Sequence, residues 1–297
     1  MVERGVVICI PYREQVTKTR AMQKFLLLQA LKQMIHGARV TKSPVWCKVL
    51  LIRQNPSDGR RFNKGKLLNA AARYALQWWG RDPKSLHLLF HDVDLLPSAE
   101  LLQQYISLFP PVKTAIHFAS VWKRYSYPGF CGGVIGMSAD TFMCSHGFPN
   151  IAWGYGGEDD MLGARLRHAG VPVLTLESAL HDRQRLQSCK YLDMETIAFA
   201  GKTKAALPMV APRNADQKVL HCPWRHELKR ILPQQDTYEG TLWLEMARKG
   251  SDWLYDITID ISMTAVSPKA CVLCLKPGDK DAPPKPTYAA SPQGRPP

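Results

Sequence analysis

The sequence predicts an α/β protein with a mostly parallel sheet. Apolar runs at residues 5–10, 45–52 and 86–90 indicate three buried strands. Two segments with apolar side chains at helical spacing, residues 14–36 and 64–79, separate these strands. Strands that alternate with helices in this way favour a parallel sheet. Ligands of such sheets bind beyond the carboxyl ends of the strands, so we expect the functional site there.

The second half of the chain is rich in loops. Short strands are predicted within residues 115–122, 133–137 and 171–176. Ser138 and Asp140 are suited to cap a short helix. A further helix is predicted from Glu158 to Ala169.

One large domain is expected over residues 1–265, with a first half of about 1–112 and a second half of about 113–265. Residues 239–262 contain two β-like segments, whereas residues 183–218 show only weak periodicity. The last 22 residues hold seven prolines, so residues 266–297 are predicted to be a disordered tail.

The formal net charge of +14 indicates a surface that attracts anionic partners. The densest basic group is short and lies beside an apolar helix pattern, which favours one anion site over a nucleic-acid track; it consists of Arg60, Arg61, Lys64 and Lys66. No apolar run is long enough to span a membrane, and the N-terminus does not resemble a secretory signal. The eight scattered cysteines are too sparse for a disulfide scaffold.

Two carboxylates, Asp92 and Asp94, follow the third predicted strand directly. Both can stay ionised beside a buried strand if a divalent cation lies there, and oxygen ligands suit Mg²⁺ or Mn²⁺. Because they are alternate residues, one can bind a metal and the other a substrate hydroxyl. The alternative is an exposed loop whose acids pair with nearby arginines.

Residues 153–160, WGYGGEDD, combine aromatic rings, glycines and three acids. Trp153 and Tyr155 offer flat apolar faces that suit a sugar ring, and glycines allow close approach to a ligand. Acids in a first helical turn are also ordinary capping chemistry. An aromatic-glycine loop before them is richer than capping requires, so a carboxylate here is a candidate general base.

Two basic segments lie where a parallel sheet places its ligand. Pro11-Tyr12-Arg13 ends the first strand, and RFNKGK at residues 61–66 opens the second helix. Arginine or lysine near a helix N-terminus can bind a diphosphate.

Together these motifs resemble the β-1,4-galactosyltransferase family. IPYRE (10–14) resembles the family's IPFR, RFNKGKLLNAA (61–71) its FNRAKLLNVG, and HDVDLLP (91–97) its metal-binding DVD segment. FCGGVIGMS (130–138) and GFPNIAWGYGGEDDM (147–161) resemble FGGVSALS and GFPNNYWGWGGEDDD, and DITIDI near residue 260 resembles the closing ITVDI strand. The resemblance covers about residues 5–262. HDVDLLP, the pair Tyr125 and Tyr127, and HCPWRHELKR (221–230) are most similar to the branch that galactosylates xylose.

This resemblance implies a single-domain GT-A type, Rossmann-like nucleotide-sugar transferase fold, with a donor half (1–112) and a loop-rich acceptor half (113–265). It implies inverting transfer of galactose from UDP-galactose to a sugar hydroxyl of a carbohydrate or glycoconjugate, with Mn²⁺. Asp94 would bind the metal with His221, or with His181 as the alternative. The residues implied to contact the donor are Pro11, Tyr12, Arg13, Phe62, Asn63, Asp92, Val93 and Phe130.

On the acceptor side, the resemblance implies Asp159 as the catalytic base. The implied acceptor contacts are Tyr125, Tyr127, Tyr155, Gly157, Glu158 and Asp160. The acceptor would be of the xylose or N-acetylglucosamine type.

Some positions depart from the family pattern. Gln15 replaces a basic residue, and Phe130 replaces a donor-contacting tyrosine, which leaves galactose and N-acetylgalactosamine both open as donor sugars. A catalytically inactive UDP-sugar or carbohydrate-binding protein on the same fold is the remaining alternative, and no nucleic-acid partner is expected. The resembled family is Golgi lumenal with an N-terminal anchor, whereas this chain starts at the strand that opens the catalytic domain, so we expect an anchorless or an incomplete protein.

Overall fold

The computed structural model describes most of the chain up to residue 261. The described residues are 4–14, 18–41, 43–58, 60–122, 125–126, 129–154, 156–194, 237–238, 241 and 243–261. The predicted tail and the positions Gln15, Tyr127, Tyr155 and His221 lie outside them.

Strands and helices alternate through the first half, as the sequence predicts. The strands are β1 (Arg4–Tyr12), β2 (Val45–Gln54), β3 (Leu86–His91), β4 (Leu95–Pro97), β5 (Ala115–His117), β6 (Val134–Ser138), β7 (Val173–Thr175), β8 (Tyr191–Asp193), β9 (Leu244–Gly250) and β10 (Leu254–Asp260). The helices are α1 (Lys18–Val40), α2 (Lys64–Trp79), α3 (Ala99–Ser107), α4 (Ala139–Cys144), α5 (Glu158–His168), α6 (Leu176–Leu180) and α7 (Arg183–Ser188).

Eight of these strands form one mixed sheet in the order β7-β5-β6-β3-β1-β2-β10-β9. The central strand β1 is parallel to both neighbours, with Ile8 opposite Leu89 on β3 and Ile10 opposite Leu51 on β2. β10 is also parallel to β2. The carboxyl ends of these strands therefore share one edge of the sheet, and the predicted α/β class is confirmed.

The side chains of β1 fill two cores, one on each face of the sheet. Val7 and Cys9 pack with α2, whereas Val6, Ile8 and Ile10 pack with α1 and α3. A strand buried on both faces must be apolar throughout, which explains the continuous run in the sequence. Full burial of each such aliphatic side chain contributes about 1.5–3 kcal/mol.

The predicted strand at residues 115–122 is shorter than expected. β5 ends at His117, and residues 118–121 form a 3₁₀ turn. The Ser120 hydroxyl donates to the carbonyl oxygen of His117 at 2.6 Å and accepts from the backbone N–H of Leu176. This local bonding competes with continuation of the strand.

The strand predicted at residues 171–176 is likewise confined to β7. Thr175 caps α6 by accepting from the backbone N–H of Ser178, and this cap ends the strand.

A separate two-stranded sheet supports the edge of the main sheet. β4 pairs antiparallel with β8, and the backbone N–H of Met194 donates to the carbonyl oxygen of Asp94 at 3.0 Å. The segment that carries the acid pair is therefore held from two sides.

Candidate active site

The acid pair lies in the turn that joins β3 to β4. The backbone N–H of Asp92 donates to the carbonyl oxygen of Gly133 at 2.9 Å, which fixes the turn against the loop before β6. Val93, between the acids, is buried in the core on the α1 face. Packing and this hydrogen bond therefore fix the backbone that carries the two carboxylates.

A buried hydrogen-bond chain supports this turn from behind. The carbonyl oxygen of Asp92 can only accept, so the His91 Nδ1 at 2.8 Å donates to it. Burial lowers the pKa of His91 to about 4, so the ring is neutral and its Nε2 accepts from the Tyr105 hydroxyl at 3.0 Å. Tyr105 in turn accepts from Tyr191 at 2.6 Å.

The second acidic segment begins α5. Gly157 precedes the helix with a φ of 95°, a left-handed conformation that favours glycine. Glu158, Asp159 and Asp160 form the first turn, where the helix dipole favours negative charge. Glu158 is buried, and the other two are half-buried.

Lys64, the first residue of α2, joins the two acidic segments. Its Nζ lies 2.9 Å from Asp92 Oδ1, 3.0 Å from both carboxylate oxygens of Asp159, and 3.7 Å from Glu158 Oε1. The Lys64 side chain is only 12% exposed. Three carboxylates from two distant segments therefore surround one ammonium group.

The charges in this group are not balanced. Burial raises the pKa of Glu158 to about 7, with the Asp159 charge acting in the same direction. Burial also raises the pKa of Asp92 to about 6, despite the opposing charge of Lys64. The carboxylates nevertheless raise the pKa of Lys64 well above its usual range, against the effect of burial. One ammonium is strongly stabilised here, but it cannot compensate three carboxylates.

Asp94 has a different partner. Its Oδ2 accepts from the Arg20 guanidinium on α1 at 3.1 Å. Both side chains are about one quarter exposed. The charge of Asp94 also contributes to raising the pKa of Asp92, so it belongs to the same electrostatic neighbourhood as the three carboxylates.

The residues predicted to bind the donor line the same edge of the sheet. Pro11 and Tyr12 end β1 and are buried. Arg13 contacts the carbonyl oxygen of Arg60 and lies 3.6 Å from Asp58. The β1 end is thus connected to the loop before α2.

Asn63 fixes the start of α2. Its side chain accepts from the backbone N–H of Lys66 at 2.8 Å and donates to the carbonyl oxygen of Asn150 at 2.8 Å. Phe62 packs against the core, and its carbonyl oxygen accepts from Gly154 at 2.7 Å. The loop before α5 is therefore bonded directly to the start of α2.

The Asp159 carboxylate and the Phe130 ring both lie close to Gly132, in the loop before β6. A Cβ added at Gly132 would lie 2.4 Å from Asp159 Oδ2 and 2.4 Å from the ring of Phe130. Phe130 also stacks with Tyr125, with ring centroids 5.0 Å apart. Only glycine at position 132 leaves room for this carboxylate and this ring together.

Trp153 does not present a ring free of protein contacts. Arg60 lies over the ring at 5.7 Å from its centroid, and Lys66 lies over it at 5.1 Å. Lys66 is buried and donates to the carbonyl oxygen of Ile261 at 2.9 Å. Lys64 and Lys66, two members of the predicted anion site, therefore both bind protein oxygens.

The described residues contain no group of three or more His, Cys, Asp or Glu side chains placed to hold a metal ion. His181, the alternative metal ligand, is exposed and follows α6 with a φ of 53°. His221, the preferred ligand, lies outside the described residues, as do the predicted acceptor contacts Tyr127 and Tyr155.

Lys64 and Arg20 are the two site residues that the sequence did not single out for these roles. The sequence predicts Lys64 as part of an anion site at the start of α2 and gives no sign of its carboxylate partners. Arg20 carries no motif, and its pairing with Asp94 depends on how α1 crosses the sheet edge.

In sequence, the chain is similar to known galactosyltransferases. Residues 113–188 match a family model described as the N-terminal domain of galactosyltransferase. Human β-1,4-galactosyltransferase 3 is 38% identical over 112 residues, which cover 38% of this chain and 28% of that protein. Human β-1,4-galactosyltransferase 5 is 32% identical over 201 residues, which cover 66% of this chain and 46% of that protein. The matched region thus spans less than half the length of either relative.

Two solved structures share this fold. The catalytic domain of Drosophila β-1,4-galactosyltransferase 7 in complex with xylobiose gives a TM-score of 0.59 at 18% identity, covering 92% of this chain and all of that one. A mutant of that enzyme in complex with manganese, UDP-Gal and xylobiose gives 0.58 at 18% identity, covering 91% and 98%.

The chain therefore has the GT-A fold of these solved structures. Within that class the chain is related to the β-1,4-galactosyltransferase family, as its motifs predict. None of the helices in the described part of the chain combines the length and apolar character needed to cross a bilayer.

Proposed function

We propose that residues 1–265 form the single catalytic domain of an inverting, Mn²⁺-dependent galactosyltransferase. It would move galactose from UDP-galactose to a hydroxyl of a carbohydrate acceptor, with Asp159 as general base. The observation that carries this proposal is the convergence of Asp92 and Asp159 on Lys64 at the carboxyl edge of the sheet. Residues at that edge bind the ligands of α/β proteins.

Glu158 and Asp159 on α5 suit different tasks. Inverting transfer is one in-line displacement, so a single carboxylate must take the acceptor proton, and no carboxylate nucleophile is needed, unlike in retaining glycosidases. General-base catalysis of this kind contributes about 10²–10⁴-fold. The raised pKa of Glu158, about 7, keeps a proton on much of this group near neutral pH. Glu158 would therefore hydrogen-bond the acceptor, while Asp159 accepts its proton.

The charge imbalance fits a divalent cation. Even when Glu158 carries a proton, the carboxylates of Asp92, Asp94 and Asp159 outnumber the cations Lys64 and Arg20. Carboxylate oxygens are ligands that suit Mn²⁺. Asp94 would hold the ion, completed by His221 or, as the alternative, His181. When bound, Mn²⁺ supplies a Lewis acid that stabilises the diphosphate of the departing UDP.

The chain's own residues would orient both substrates. Arg13 and the start of α2, with Phe62 and Asn63, would hold uridine and diphosphate, together with Pro11, Tyr12, Asp92, Val93 and Phe130. Tyr125, Gly157 and Asp160 would bind the acceptor sugar, together with Tyr127 and Tyr155. Phe62 and Asn63 directly precede Lys64. Gly157 directly precedes Glu158, whose carboxyl group lies near the Lys64 ammonium group.

A donor-by-acceptor screen tests this proposal. UDP-galactose, UDP-N-acetylgalactosamine and UDP-glucose are each offered with β-xyloside and β-N-acetylglucosaminide acceptors, in Mn²⁺ or in EDTA. We expect galactose transfer to at least one acceptor with Mn²⁺, abolished by EDTA. The UDP-N-acetylgalactosamine arm is needed because Phe130 lacks the hydroxyl of the family tyrosine. Binding of UDP with Mn²⁺ but no transfer in any arm would instead favour a catalytically inactive sugar-nucleotide-binding protein.

A further inference from the structure

Lys64 occupies a position that local helix energetics disfavour. It is the first residue of α2, where the helix dipole is positive, and the first turn of α2 contains no acid. Its ammonium group is also largely removed from water, which adds a desolvation cost. Neither helix formation nor core packing therefore explains a lysine at this position.

The backbone around Lys64 is fixed on both sides. Asn63 before it is fully buried and bonded through its side chain to α2 and to the carbonyl oxygen of Asn150. Gly65 after it lies so close to the loop before α5 that an added Cβ would be 2.3 Å from the carbonyl oxygen of Pro149. The start of α2 is therefore packed against the chain that leads to Glu158 and Asp159.

The contacts of the ammonium group span the proposed reaction centre. One contact is to Asp92, on the donor side of the proposed site, and two are to the oxygens of Asp159, the proposed base. Equal distances of 3.0 Å to both Asp159 oxygens fix the orientation of that carboxylate as well as its position. Without the lysine, the carboxylates of Asp92 and Asp159 would repel each other.

We propose that Lys64 is a positioning residue that locks the carboxylates of Asp92 and Asp159 into one arrangement for transfer. This inference rests on the proposed function and gives Lys64 a role other than the anion binding that the sequence predicts. Lys64 does not exchange a proton with the acceptor. It sets the separation between the donor-side acid and the base, and an error of about 1 Å in such a separation can cost about 100-fold in rate.

The test compares three variants with the wild-type chain. Lys64→Met removes the charge at similar length, and Lys64→Arg keeps the charge. Lys48→Met removes a half-buried lysine near the opposite end of the strands, where it bonds to the carbonyl oxygen of Asp252. Each variant is measured for kcat and KM for both substrates, for UDP–Mn²⁺ affinity by calorimetry, and for thermal unfolding.

A positioning role predicts a specific pattern. Lys64→Met should lower kcat by roughly 10- to 100-fold, while UDP–Mn²⁺ affinity changes by less than about fivefold because the nucleotide contacts remain. Lys64→Arg should recover kcat to within about fivefold of wild type, and Lys48→Met should leave it within about twofold. A purely structural ion pair would lower the unfolding temperature of Lys64→Met and leave kcat unchanged, and that result overturns the inference.

Two further controls keep the outcome unambiguous. If Lys64→Met does not fold, the double variant Lys64→Met/Glu158→Gln removes one charge of each sign and is compared with Glu158→Gln alone. An equal kcat in those two proteins overturns the positioning role, and a roughly 10-fold lower kcat in the double variant supports it. Absence of transfer by the wild-type chain would reject the proposed function, whereas an active wild type with an equally active Lys64→Met rejects only the inference.

Discussion

Glu158→Gln should change the way in which folding stability depends on pH. In the wild-type chain, Glu158 is buried beside Asp159, and its pKa is raised from 4.5 to about 7. The folded state therefore binds the Glu158 proton more tightly than the unfolded state does. The stability associated with that proton is fully present below pH 4.5 and is lost as the pH rises toward 7.

The size of the effect follows from the shift. Each unit of pKa difference between folded and unfolded states corresponds to about 1.4 kcal/mol. Between about pH 5 and pH 8, ionisation of Glu158 should cost the folded state about 2–3 kcal/mol. Glutamine has nearly the shape of protonated glutamic acid and cannot ionise, so this component disappears in the variant.

Urea denaturation in metal-free buffer at about pH 5 and about pH 8 measures this difference. Relative to wild type, Glu158→Gln should gain about 2–3 kcal/mol more at the higher pH than at the lower one. The control Glu100→Gln changes an exposed glutamate in the first turn of α3. As a substitution at an exposed position, it should change stability by less than about 0.5 kcal/mol.

The Asp92 carboxyl, with a pKa of about 6, adds a loss of the same sign that remains in the variant. Only the difference between variant and wild type therefore reports on Glu158. If Glu158→Gln changed the free energy of unfolding equally at both pH values, burial and the Asp159 charge would not raise the pKa of Glu158.

Two further substitutions, one of them with a matched control, test the packing around the acidic residues. Gly132→Ala places a Cβ 2.4 Å from Asp159 Oδ2, so it should displace that carboxylate and destabilise the fold by about 1–3 kcal/mol. Gly37→Ala, a helical site with nothing within 4 Å of the added Cβ, should instead stabilise the fold by about 0.5–1 kcal/mol. Urea denaturation measures both changes in the free energy of unfolding. Equal changes in the two variants would contradict the close packing at Gly132. Tyr105→Phe removes the hydroxyl that serves buried His91 and should cost about 1–3 kcal/mol in the same assay, whereas an unchanged stability would show that the hydrogen-bond chain behind the acid pair is not formed.

Much of the fold could be predicted because its strongest signals are local in sequence. Residues 5–10 form a continuous apolar run, and this run is the centre of β1. Ser138 caps α4, and the three acids begin α5, as their positions predicted. In each case one segment contains both the pattern and its cause.

Other elements have causes that lie elsewhere in the chain. β4 and β8 are three residues each and exist because they pair with one another across about a hundred residues. α3 was not predicted, although Ser98 caps it and Glu100 lies in its first turn. That signal was available but was overshadowed by the acid motif directly before it.

In the site, too, some features follow from local sequence and others depend on distant parts of the chain. Motifs identified Asp92, Asp94, Glu158 and Asp159 as candidates, but the sequence could not show which of them meet. Their convergence depends on Lys64, which is 28 residues from Asp92 and 95 from Asp159 along the chain. A lysine at a helix start has no distinctive spacing, so only the tertiary structure assigns it three carboxylate partners.

Asp159→Asn is the sharpest test of the proposed mechanism, because it removes the proposed base and keeps the side-chain shape. The measurement pairs galactose transfer in Mn²⁺ with UDP–Mn²⁺ affinity by calorimetry on the same protein. We expect transfer to fall by about 10²–10⁴-fold while the affinity changes by less than about fivefold. Transfer by Asp159→Asn at close to the wild-type rate would contradict the role of Asp159 as general base, since another group would then have to take the acceptor proton.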